Sequence, residues 1–392
     1  MEAMKSNYLW ADSIVTPEER KFFGDPSVFL RNITTKIKGE KWSYVMVDTI
    51  VSDPHERGYF NHNESYGMDY MLITDPTGQT TRQYVRVVSV FDKSQAQKAG
   101  LQRGDFIVSY NGYKFSSSNI NKLKKGPELK LTVCHLGVNV EDNTYFWKDT
   151  LEYVLPASNN GNYAYQVNDV VPDGCYIYSI GDTKVGYYNV TELIGENTLR
   201  SNSYPVEQYS SIFKNAGVNE LVLDLRLCNR GNIDMAQKLA SSIVKTEYRN
   251  RIFAKTIWNG NNSALNKDYR FDADVVNLGL NRVFIITSGY TQGAAEWVIH
   301  SLQAVMGKEN VILIGRKTAG QNVMMDVCRS DQYGLTLYPV VAYVADCNGD
   351  YNYSSGIETD YEINEFDYVN LEPYGSPAEI LFHTALEVMQ AP

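Results

Sequence analysis

TSGYTQGAAEWVIHSL, residues 287–302, follows the apolar run VFII and opens an amphipathic stretch. A strand that runs into a Gly-rich bend and then a helix is a place where hydrolases mount a nucleophile. The bend exposes one side chain beside the free N–H groups of the helix start. The nearby hydroxyls are Ser288, Thr291 and Ser301, and a loop hydroxyl beside a helix start is most often a cap, so Thr291 reads as the cap. Lys317, next to Arg316, reads as a solvated lysine. Cys228 is a chemically competent alternative nucleophile, because a thiolate needs less activation than a hydroxyl. Its position at a strand end suits a buried structural thiol instead. Glu296 falls one turn into the helix, where the dipole favours a carboxylate, and Asp224 with Arg226 reads as a pair anchoring a strand end.

The elements that must position these residues follow from pattern. From Pro156 onward the chain alternates strands and helices: YIYSI and VGYYNV, a helical segment after Pro205, the strand ELVLDLRL, then RVFIITS and NVILIG. Ile233, Ala236, Ala240, Ile243 and Val244 recur three or four apart, which predicts a helix with one buried face. This alternation predicts an α/β core with a mainly parallel sheet over residues 138–392. Upstream, residues 64–137 carry short β runs such as YVRVVSVF, FIVSYNG and LKLTVCHL between Gly-containing turns, a compact β-rich module. Residues 1–63, with helical patches such as PSVFLRNITTKI, read as a small N-terminal helical cap. The expected fold is therefore multidomain α+β around an α/β core.

The chain has 392 residues, 36 Lys plus Arg against 46 Asp plus Glu, and a net charge of −10. Its length calls for more than one core, and its acidity disfavours duplex nucleic acid and anionic membrane as partners. No apolar run approaches the ~20 residues of a membrane crossing, and MEAMKSNYLW lacks a signal-peptide core, so an exported form is expected to carry its leader outside this sequence. Five cysteines form no CxxC pair, and His55, His62, His135, His300 and His383 lack the HExxH spacing, so neither a metal nor a cofactor is expected. Cys328 and Cys347 bracket a strand-rich stretch and read either as a bridge in an oxidising compartment or, more plainly, as free thiols.

KSQAQKAGLQRGDFIVSYNG, residues 93–112, resembles the helix, turn and strand of a PDZ domain, with Ala99-Gly100-Leu101 ending the helix and Gly104-Asp105 making the turn. The resemblance implies that Tyr66, Gly67, Met68, Asp69 and Tyr70 form the loop and strand that receive a peptide, either in use or with the groove filled. A PDZ-like module followed by LVLDLR, VFIITSGYT, ILIGRKTAG and DYNYSSGIETD resembles the carboxy-terminal processing, or tail-specific, serine peptidases. The form is closest to secreted bacterial members that open with a motif like NYLW, residues 7–10 here, and the tail YGSPAEILFHTALEVM is similar to the family's last helix.

This resemblance implies a ClpP/crotonase-like core, an extracytoplasmic location, and unstructured peptides or protein C-termini as partners. It also implies a serine nucleophile in a TASASE-like bend, a lysine base in a GEKTxGK-like loop, and an oxyanion hole from backbone N–H groups. TQGAAE places Gly293 at the nucleophile position, and GRKTAGQ places Gln321 at the base position, where an amide cannot take a proton. DLRLCNRGN leaves Gly231, with Ala294, at the oxyanion positions, and Arg230 stands where the first glycine would be, able to fill the space of a carbonyl. A serine–histidine arrangement through His55 or His62 has no serine at Gly293 to serve. The expectation is a peptidase-family protein without the Ser/Lys dyad. The alternative is an active serine-type endopeptidase that cleaves protein C-terminal regions with a non-standard nucleophile.

Overall fold

The computed structural model describes residues 2–15, 25–34, 36–37, 40–47, 65–91, 94–139, 141–142, 144–158, 175–194, 205–331 and 333–391. His55 and His62 lie outside the described residues. The helices among those described are α1 (Glu2–Asn7), α2 (Pro26–Thr34), α3 (Gln95–Lys98), α4 (Pro205–Ala216), α5 (Ile233–Ile243), α6 (Ala294–Met306) and α7 (Ile380–Gln390). With several sheets they make a mixed α/β protein. Contacts divide the chain into two units, Met1–Gly58 with Cys175–Glu362 and Tyr59–Gly174 with Ile363–Pro392.

The first unit is built on a six-stranded sheet. Its spatial order is Tyr361–Glu362, Val311–Gly315, Val283–Thr287, Glu220–Asp224, Thr183–Asn189 and Cys175–Ile180, all neighbours parallel except the last pair. VFIIT is buried at all five positions, as a parallel strand covered on both faces requires. The apolar face of α5 and most of the first two turns of α6 pack into the same core. Asp224 pairs with Ile286 and Thr287 with Gly315, so three adjacent strands end level. Their loops, 225–232, 288–293 and 316–322, therefore leave the same sheet edge, the usual place for a site in such a fold.

The N-terminal segment is not a separate cap. Met4, Tyr8, Leu30 and Ile33 share a core with Val323 and Val340, Leu9 N–H donates to Val340 O at 2.8 Å, and Tyr44–Val47 pairs antiparallel with Leu335–Tyr338. Helices of six and nine residues bury too little by themselves to stand alone.

The second unit is a five-stranded antiparallel sheet ordered Met68–Thr74, Gln83–Val90, Phe106–Tyr110, Leu129–Cys134 and Leu151–Leu155. Val85, Val87, Ile107, Leu131 and Val133 alternate onto its buried face. Ser94 caps α3 by accepting the Gln97 N–H at 3.0 Å. The module thus runs past 137 to Leu155. It also takes in the C-terminal segment, which the sequence pattern assigns to the α/β core. Two buried arginines explain this: Arg86 donates to Tyr368 O and Val369 O, and Arg103 to Glu365, Glu372 O and Tyr374 Oη. Polar backbone threaded over a sheet needs such donors, which hydrophobic periodicity does not reveal.

Candidate active site

The bend after Val283–Thr287 is shaped by its own hydroxyls. Ser288 Oγ donates to Arg226 O at 2.5 Å and accepts from Tyr290 N–H at 3.0 Å. Thr291 Oγ1 donates to Leu225 O at 2.9 Å and accepts from Ser288 N–H at 2.9 Å. Both hydroxyls tie the bend to the loop after Glu220–Asp224. Thr291 is therefore not the helix cap, a position held by Gly293. Ser301 is buried two turns into α6, and Lys317 pairs with Glu358 at the surface.

Gly293 is buried and adopts φ 58°, ψ −117°, a backbone conformation costly for any residue with a Cβ. A Cβ built there would lie 3.2 Å from Gln321 Oε1, 3.3 Å from its Cδ and 3.5 Å from its Nε2. Two loops far apart in sequence thus converge, with an amide facing a residue that has no side chain. Gln321 is itself 6% exposed, and its carbonyl accepts the Trp297 indole N–H at 3.2 Å.

Glu296 joins the two loops, a role its position near a helix start did not suggest. Its Oε2 accepts the N–H groups of Gly293 at 3.1 Å and Gln321 at 2.6 Å. Its Oε1 accepts the Gly320 N–H at 2.6 Å and the Thr318 hydroxyl. Burial pushes this carboxyl up to about 6, and the four donors hold it from rising further. Gly320 has φ +85°, and a Cβ there would meet Ser354 O at 2.4 Å, so the close approach admits only glycine.

At the expected oxyanion positions the structure places a side chain the sequence did not flag. Leu193, 1% exposed, forms a parallel bridge with Gly231, donating to Arg230 O at 2.9 Å and accepting the Asn232 N–H at 2.8 Å. A Cβ on Gly231 would sit 2.6 Å from Leu193 Cβ and 2.7 Å from Ala294 Cβ. Gly231 and Ala294 are therefore neighbours, with Leu193 packed against Gly231. Arg230 turns to Glu192, with Nε at 2.8 Å from Oε2. Cys228 is fully buried, and that burial pushes its thiol far up, which leaves it a structural thiol. All five cysteines are free, Cys328 and Cys347 included. Asp224 and Arg226 form a wholly buried pair at 2.8 Å, and the Tyr187 hydroxyl donates to Asp224 at 2.6 Å.

In the second unit, the Tyr66 N–H donates to Lys124 O at 3.2 Å and the Gly67 N–H to Ser65 Oγ at 3.1 Å. The Tyr70 hydroxyl reaches Ile120 O at 3.2 Å, while Met68 packs into the core. Among the described residues Asp69 Oδ2 is covered and has no hydrogen-bond partner, and burial pushes this carboxyl well up. Met68–Thr74 lies at the sheet edge. His135 bridges Asp149 at 2.9 Å and Asp105 at 3.1 Å, and His383 reaches Pro377 O at 3.1 Å. Among the described residues no helix is long and apolar enough to cross a membrane.

Residues 184–363 match the model of peptidase family S41. Among solved structures, the chain is similar to a protein of Bacteroides fragilis NCTC 9343 assigned to the S41 proteases, with 28% identity, a TM-score of 0.86, and coverage of 99% of this chain and 96% of that one. It shares its fold with the photosystem II D1 C-terminal processing protease at 15% identity and TM-score 0.52, covering 97% of each chain. It likewise shares the fold of mature CPAF complexed with lactacystin, at 12% identity and TM-score 0.52, covering 99% of this chain and 96% of that one. No curated protein sequence matches.

Proposed function

We propose that this chain, whose core belongs to peptidase family S41, is a non-catalytic member that holds unstructured peptides or protein C-termini without cutting them. One observation supports the reading: Gly293 and Gln321, which the family resemblance puts at the nucleophile and base positions, face each other, with the Gln321 amide 3.2 Å from where a Cβ on Gly293 would be. Peptide hydrolysis by this route needs an electron pair on a side chain and a neighbour that takes its proton. Neither group is supplied here. In a serine hydrolase the loss of one triad member costs on the order of 10⁶ in turnover, so the pair of changes leaves little to measure. Leu193 beside Gly231 and Ala294 further narrows the room for a carbonyl.

Binding is assigned to the PDZ-like module. The Tyr66 and Gly67 N–H groups are engaged internally, so the receiving surface is the outer edge of Met68–Thr74, where a peptide adds as a strand through its main chain. An extracytoplasmic setting accompanies this reading, in keeping with the family resemblance.

Incubation of pure protein with an unfolded substrate, followed by mass spectrometry and a fluorophosphonate label, is expected to yield no new termini and no labelled serine. Label on a single serine, lost with activity when that serine is replaced, would instead establish a peptidase with a non-standard nucleophile. Calorimetry with peptides ending in small apolar residues tests the other half, and absence of heat at millimolar peptide removes the receptor role.

A further inference from the structure

A second group of side chains capable of chemistry lies further along α6. His300 comes from that helix, and Asp346 and Asp350 from the turn DCNGD after the strand Val340–Ala345. His300 Nε2 is 3.9 Å from Asp346 Oδ2 and 3.9 Å from Asp350 Oδ2, and the three atoms lie within 4.8 Å of one another. The turn is wound so that each carboxylate uses its other oxygen internally. Asp346 Oδ1 accepts the N–H groups of Asn348 at 2.8 Å and Asp350 at 2.9 Å, and Asp350 Oδ1 accepts from Asn352 N–H at 3.1 Å. Both Oδ2 atoms are left on the side of His300. The Asp346 side chain is 6% exposed, with Oδ2 directed toward His300 Nε2.

A separate observation points to the same place. Tyr353 packs its ring on His300, with centroids 4.6 Å apart, and is 5% exposed. Among the described residues its hydroxyl has no hydrogen-bond partner. An unpartnered buried hydroxyl is costly and calls for an explanation.

From this convergence we infer that His300, Asp346 and Asp350 form a binding site for one divalent transition-metal ion, of the zinc or manganese class. An imidazole nitrogen favours those ions over calcium or magnesium, which take oxygen ligands alone. Neighbouring ligands on an ion at ~2.1 Å stand roughly 3–3.5 Å apart, so the present 3.9 Å separations close by about half an ångström. Asp350 O, 2.9 Å from Nε2, already stands at ligand-to-ligand spacing. Metal on Nε2 places the ring proton on Nδ1 and converts that carbonyl from an acceptor of the ring N–H to a further oxygen beside the ion. The ion would pin the turn to α6. Asn322 Nδ2 donates to Tyr351 O at 2.6 Å, so the same turn is linked to the residue after Gln321, and the site braces the bend as well.

Calorimetric titration of the tag-free, chelator-treated full chain with zinc chloride and with manganese chloride tests this. One ion per chain is expected, at micromolar Kd or tighter, with His300→Ala and Asp350→Asn each weakening it by at least about tenfold. Glu358→Gln, a surface carboxylate outside the group, should leave affinity unchanged. Asp350 is 47% exposed, so its amide variant keeps the fold and the reading does not depend on His300→Ala folding. No saturable binding of either ion up to about 1 mM, or equal affinity in wild type and Asp350→Asn, would overturn the inference.

Discussion

Glu296 and Asp69 are both carboxylates with covered oxygens, one in each unit, and they have opposite surroundings. Glu296 is met by four donors that join the bend to the 318–321 loop. Asp69 carries an oxygen that meets none among the described residues. Burial raises both, yet Glu296 stops at about 6 while Asp69 goes well above its ordinary value. The difference teaches that donors, not depth, decide whether a buried acid is a structural anchor or a tolerated liability. The first unit thus ties the 288–293 bend to the 318–321 loop through one carboxylate.

Removing the anchor should produce the largest effect. Glu296→Ala leaves three N–H groups and a hydroxyl unpaired in a dry place, and a loss on the order of 4 kcal/mol is expected in urea unfolding. A smaller, pH-dependent effect separates charge from hydrogen bonding. Between 4.5 and about 6 the folded chain holds a proton on Glu296 that the unfolded chain has released, so this group's contribution falls as pH rises through that window, by about 2 kcal/mol. Glu296→Gln should flatten that slope, and an unchanged slope would refute the assignment. Gly293→Ala comes next, at about 1–3 kcal/mol, from the positive φ and the Gln321 contact, without gain of hydrolysis.

Asp69 should respond to pH in the same direction but to loss of its charge in the opposite one. Its carboxyl is raised, so stability falls as pH climbs above 3.8, and Asp69→Asn removes that loss. The variant is expected to match or exceed wild-type stability at neutral pH, and clear destabilisation would mean the comparison is wrong. Lys317→Ala should change stability by less than about 0.5 kcal/mol, because its pair with Glu358 is exposed.

Much of this was legible in residue pattern. VFIIT had to be a covered strand, the three-and-four spacing of α5 required a helix, and the glycine and glutamine at 293 and 321 stand in recognisable motifs. Leu193 was not legible, because nothing about an apolar residue after Glu192 says that it will lie against Gly231. Nor was the docking of the N-terminal segment or the C-terminal strap, which depends on Arg86 and Arg103 finding carbonyls nearly 300 positions away.

The order of residues alone determined which groups exist to do chemistry: a glycine has no electron pair to offer and an amide no basicity, whatever surrounds them. Tertiary structure decided where those groups meet. Only long-range folding brings Gln321 against Gly293, places four donors around Glu296, and sets His300 beside Asp346. Each of these is a contact between distant segments, fixed by packing and not by local propensity.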